Sequence, residues 1–100
     1  MMKLTGMQIK VIWRLHRRGK YGGSHTPIEN AVKGFQKDRR GEVLDAFKDL
    51  VRSNIVMKKP TNYGMEVSLN QDQNAFIRLV CDWYAANAGT VKDRGTYEIG

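Results

Sequence analysis

One hundred residues with 41% hydrophobic content and nine aromatic side chains suit a single domain, and leave no room for separate catalytic and regulatory halves. No apolar run approaches the roughly 18 residues of a membrane span, the opening MMKLTGMQIK lacks an export signal's apolar stretch, and Cys81 with His16 and His25 falls short of a zinc set or a disulfide. The net charge of +7 is concentrated: residues 1–41 carry ten Lys/Arg against Glu29 and Asp38, or +8, while residues 42–100 sum to −1, a directional field suited to a polyanion.

Thr5-Gly6-Met7-Gln8 has the form of a capping box and predicts a helix over residues 6–18. Ile9, Ile12, Trp13 and His16 recur at helical spacing, Arg17 and Arg18 suit the last turn, and Gly19 stops the pattern. GKYGGSH is a loop that lacks the Lys and Ser/Thr of a phosphate-binding consensus. Thr26-Pro27-Ile28-Glu29 then reads as a second capping box with proline at the first helical position, opening a short helix through Ile28, Val32 and Phe35. Asp38 is placed to cap a third helix with a core face of Val43, Leu44, Phe47, Leu50 and Val51, and a solvent face of Glu42, Asp45, Lys48, Asp49 and Arg52.

Asn54 stands where a left-handed residue would end that helix. Ile55–Lys58 and Met65–Leu69 form a hairpin, with Met65, Val67 and Leu69 on its buried side, Glu66 and Ser68 on the other, and Lys59–Gly64 as a loop too long for a two-residue turn. Asn70–Gln73 offers a cap for a fourth helix, 72–88, with Phe76, Ile77, Val80, Cys81, Trp83 and Tyr84 on its apolar side. The polar, Gly-rich segment 89–100 is expected to be flexible or loosely docked, leaving 1–88 as the folded domain.

The segment VLDAFKDLVRSNIVMKKPTNYGMEVSLN resembles the third helix and wing of a winged helix-turn-helix domain, with Leu50, Val51, Asn54 and Ile55 at the helix-to-hairpin junction. The resemblance covers residues 5–70 and implies an α+β fold: a three-helix core, a two-stranded β-hairpin wing and, here, an added C-terminal helix. It also implies double-stranded DNA as partner, the third helix entering the major groove and the hairpin touching the backbone. Lys58, Lys59, Asn62 and Tyr63 would then be wing contacts, Lys37, Arg39 and Arg40 a basic lip at the start of the third helix, and Lys33, Lys48 and Arg52 further phosphate contacts. Glu42, Asp45 and Asp49 sit badly with this, so the acidic face could hold a protein while nucleic acid lies against Arg14, Arg17, Arg18 and Lys20.

The expected function is non-enzymatic DNA binding in transcription regulation or as a chromatin or replication accessory factor, in the cytoplasm and associated with the nucleoid. Two alternatives stand: an RNA-binding winged-helix protein of ribosomal kind, or a protein-interaction subunit of a larger complex. The fourth helix could dimerise the protein through Phe76, Val80, Trp83 and Tyr84. No catalytic, cofactor or metal set is expected, since His16 lies on a core stripe, His25 beside a helix start, and Cys81 at a core-facing position without a basic neighbour.

Overall fold

The structure is a computed structural model that describes residues 2–100. The chain runs β1 (Met2–Thr5), α1 (Gly6–Arg17), β2 (Thr26–Pro27), α2 (Ile28–Val32), a 3-10 turn (Lys37–Arg39) and α3 (Arg40–Arg52). It continues through β3 (Val56–Thr61), β4 (Gly64–Leu69), α4 (Asn74–Asn87) and β5 (Thr96–Ile99). Two small antiparallel sheets result, one pairing β1 with β5 and one ordered β2-β4-β3. Among the described residues no helix is long and apolar enough to cross a membrane.

Helix α1 opens with both halves of its capping box: Gln8 N donates to Thr5 Oγ1 at 3.1 Å, and Thr5 N to Gln8 Oε1 at 2.8 Å. It buries Ile9, Val11, Ile12 and Leu15 against α3, α4 and β4, and all four side chains are almost wholly hidden from solvent. Helix α3 contributes Val43, Ala46, Phe47 and Leu50 to the same core. Asn54 ends α3's turn at φ 62°, while Ile55 N donates back to Leu50 O at 3.0 Å.

Several local expectations need correction. Thr26 does not cap α2; it is buried in β2 opposite Val67, so α2 starts at Ile28 without a side-chain cap and ends before Phe35. Asp38 lies inside the 3-10 turn, and α3 begins at Arg40, also without a side-chain cap. Leu44 is not core: it is 41% exposed, because a buried row at i, i+3, i+4 and i+7 from Val43 leaves it on the outer flank.

The hairpin is longer and its turn tighter than the composition suggests, since the strands pair as far as Thr61 and Gly64 and leave Asn62–Tyr63 alone at the tip. Pro60 is tolerated because β3 is an edge strand that needs no outward donor there. Thr61 Oγ1 clasps the turn, donating to Gly64 O at 3.0 Å and accepting from Tyr63 N at 3.2 Å. Ser68 is fully buried rather than solvated, because its hydroxyl donates to Gly22 O at 3.0 Å in the loop that crosses β4.

The largest correction concerns 89–100. This segment packs Val91 and Ile99 into the interior and pairs β5 with β1, Met2 opposite Ile99 and Thr5 opposite Thr96. Its carbonyls also satisfy the free amides at the start of α1: Gly6 N donates to Gly95 O and Met7 N to Asp93 O, both at 2.9 Å.

Candidate nucleic-acid interface

The register of the hairpin decides which cations can act together. Lys58 is paired with Val67, so its side chain lies on the face of the sheet that packs toward α3, whereas Lys59 is paired with Glu66 on the opposite face. Lys58 therefore lines a groove between α3 and the hairpin with Lys48 and Arg52, over a floor that includes Phe47, Val51 and Met65. A spacing of four also puts Arg40, Leu44, Lys48 and Arg52 in one row along α3. Three cations and an exposed leucine thus follow the outer edge of the helix, and a fourth cation faces them across the groove.

The carboxylates of α3 occupy a different flank. Glu42, Asp45 and Asp49 border a shallow depression shared with Gln8 and Arg94, away from the hairpin. Arg94 Nη2 lies 2.6 Å from Glu42 Oε1, Arg39 Nη1 lies 3.2 Å from Glu42 Oε2, and Gln8 Nε2 donates to Asp49 Oδ2 at 3.2 Å. Arg94's hydrogen bond, helped by its charge and by Arg39, holds the Glu42 carboxyl below its ordinary value against a smaller opposing effect of desolvation. Glu42 and Asp49 are engaged with neighbouring side chains of their own chain, and none of the three acids lines the basic groove. One ion pair crosses between the flanks, Arg52 with Asp49 at 3.7 Å, and both partners are more than half exposed. Such a pair contributes little, and a phosphate can replace its carboxylate.

Arg39, expected on the basic lip, is half-buried and held between Glu42 and Asp93, whose Oδ2 lies 3.4 Å from Nη1. Asp93 also accepts from Lys10. Lys33 and Lys37 are exposed on the α2–α3 connection and do not line the groove. Asn62 and Tyr63 form the hairpin tip, with Tyr63 98% exposed. The structure brings Lys48, Arg52 and Lys58 together, sets Arg40 in their row, and keeps Lys59 on the other side of the sheet.

The proposed dimer residues of α4 also pack within the chain. Val80 is fully buried, Trp83 packs against Tyr97 of β5 with ring centroids 5.2 Å apart, and Tyr84 against Trp13 of α1 at 5.3 Å. Phe76 is half-buried against the same core. Helix α4 is covered on two sides, by α1 and by a C-terminal strand that the sequence reading did not anticipate.

The remaining reactive side chains have structural partners. His16 Nδ1 and Tyr21 Oη share a hydrogen bond of 2.7 Å, and burial pushes the Tyr21 phenol upward. His25 lies 3.9 Å from Glu66 at the sheet edge. Burial, with a smaller push from Asp82, raises the Cys81 thiol to about 12, so it stays protonated and unreactive at neutral pH. Among the described residues no cluster of three His, Cys, Asp or Glu could hold a metal ion. Leu44 was missed as a surface residue, although its place in the row Arg40-Leu44-Lys48-Arg52 was a signal present in the sequence. Compared with known protein families, curated proteins and solved structures, the chain matches none.

Proposed function

We propose that this chain binds double-stranded DNA as a winged helix-turn-helix domain, with α3 as the recognition helix and β3–β4 as the wing. The observation that carries the reading is the convergence of Lys48, Arg52 and Lys58 on one groove between a helix and a hairpin. The strand order β2-β4-β3 supports it, because β2 lies between α1 and α2 and gives the hairpin the third strand that fixes its angle to α3. In this reading the cations neutralise phosphates along one duplex edge. Leu44 offers an apolar contact of the kind that meets a thymine methyl, and Asn62 and Tyr63 reach the backbone beside the groove. Binding requires no chemistry, only a charged surface of the right curvature.

The test is titration of a short DNA duplex at several salt concentrations. Log affinity against log salt should fall steeply, and the triple change Lys48→Ala, Arg52→Ala, Lys58→Ala should reduce that slope by about three, roughly one for each lost phosphate contact. Lys58→Ala should weaken binding more than Lys59→Ala, since the two side chains leave the sheet on opposite faces. A triple variant that binds like the parent, or a response indifferent to salt, overturns the proposal. Tighter binding to a matched RNA duplex would point instead to the ribosomal kind of winged-helix protein.

A further inference from the structure

A second basic surface lies away from the α3–hairpin groove and shares no lining residue with it. It is a cleft of about 430 Å³ between α1, the α2–α3 connection and α4. That volume falls in the range of about 300–1,000 Å³ typical of small-molecule sites. Three aromatic rings border it: Trp13 and Tyr84, packed 5.3 Å apart at 56°, and Phe35. At its mouth the cleft continues, through shared Trp13 and Arg14, into a depression that also includes Arg17 and Arg18. Aromatic surface and positive charge are therefore side by side.

The charges in this region are not equivalent. Lys10 and Arg39 at one end are ion-paired, Lys10 with Asp93 and Arg39 with Asp93 and Glu42. Arg14, Arg17 and Arg18 at the other end have no carboxylate within ion-pair distance among the described residues. Arg14 is positioned by its surroundings: its guanidinium lies 4.5 Å from the Phe35 ring centroid, and Nη2 donates to Gly34 O at 3.3 Å. A Cβ on residue 34 would fall 1.0 Å from Arg14 Nη1, so only glycine lets the guanidinium lie flat there. Desolvation, and after it repulsion from Arg18, lowers Arg14's affinity for its proton. Arg17 completes the group with its guanidinium 5.7 Å from the Trp13 ring centroid.

We infer that this cleft binds a nucleotide unit, its planar base against Trp13, Tyr84 and Phe35 and its phosphate against Arg14, Arg17 and Arg18. A base has a flat face for aromatic rings, and arginine matches phosphate with paired donors. A ligand with only one of these halves would leave the other half of the site unused. The unit could be a free mononucleotide or a nucleotide of a single strand, and the two sources share this chemistry.

The experiment follows Trp13 fluorescence in a Trp83→Phe background, where Trp13 is the one remaining tryptophan. AMP, GMP, CMP and UMP, a hexathymidylate single strand, adenosine and inorganic phosphate are titrated in parallel. Saturable quenching is expected with a mononucleotide or with the single strand, whichever is the source, while adenosine and phosphate should each bind at least tenfold more weakly. Arg14→Gln should weaken the ligand at least fivefold. Gly34→Ala should do likewise by displacing the end of a flexible side chain, with the fold intact by circular dichroism. Both variants should leave duplex binding at α3 unchanged, so this site and the DNA groove can fail separately. Absence of saturable quenching by every nucleotide probe, or binding of inorganic phosphate as tight as that of AMP, overturns the inference.

Discussion

The hairpin tip and the segment after α4 are written in similar letters. KKPTNYG and TVKDRGTY are both polar, basic and interrupted by glycine, yet one projects into solvent and the other is locked down. At the tip, Thr61 holds the two-residue turn by local hydrogen bonds, and Tyr63 is left almost fully exposed. In the C-terminal segment, by contrast, Asp93, Arg94 and two backbone carbonyls meet partners far away in sequence. Asp93 meets Lys10 and Arg39, Arg94 meets Glu42, Tyr97 Oη accepts from Lys92 N at 2.8 Å, and backbone carbonyls cap α1. Composition alone does not distinguish order from freedom. What matters is whether the rest of the chain offers complementary groups at the right place.

Changes at the two regions should therefore differ sharply in cost. Ile99→Ala should destabilise the protein by about 2–5 kcal/mol in chemical denaturation, because a buried branched side chain is replaced by a cavity between β5 and the core. Gly6→Ala should cost about 1–3 kcal/mol, as overpacking does. The new Cβ would lie 1.8 Å from Lys92 O, a backbone atom that moves only if the clamp on α1 opens. A Gly6→Ala variant as stable as the parent would show that the clamp contributes little.

A third comparison uses acid. The folded Glu42 has its proton affinity depressed, so its contribution to stability is present above the ordinary carboxylate value of 4.5 and is lost as pH falls through the lower folded value. Glu42→Gln should lower stability at neutral pH, where that contribution is present, and flatten the loss of stability as pH falls below 4.5. At the tip, by contrast, Tyr63→Ala should change stability by no more than about 0.5 kcal/mol, as expected for an exposed residue with no packed neighbours. A large loss there would mean that the tip is held by contacts beyond its own turn.

Helices were legible where their signals were local. Thr5–Gln8 sufficed for the start of α1, and Asn54 for the end of α3, because a cap is decided within four residues. Thr26 misled for the same reason in reverse: it has the right chemistry for a cap, but a strand partner at Val67 competes for the same backbone and wins. The pair β1–β5 had no local signature at all. MKLT and TYEI are short, and what makes them strands is each other.

For the candidate site, the parity of the hairpin was the missing quantity. Lys58 and Lys59 are neighbours in sequence and were expected to act together, but a period of two sends them to opposite faces, and only the register with β4 says which face meets α3. Likewise, the acids of α3 looked like an obstacle to phosphate binding until Arg94 supplied a distant counter-charge to Glu42.

The register that joins Met2 to Ile99 also bears on how the protein comes to be folded. On a ribosome, β1 emerges long before the segment that will complete it, so Leu4 and the first amides of α1 must wait with temporary solvent partners. Closing so long a loop comes late and is entropically demanding, which makes the final docking of the C-terminal strand the step at which a half-made molecule is most exposed to chaperones, proteases or its own kind.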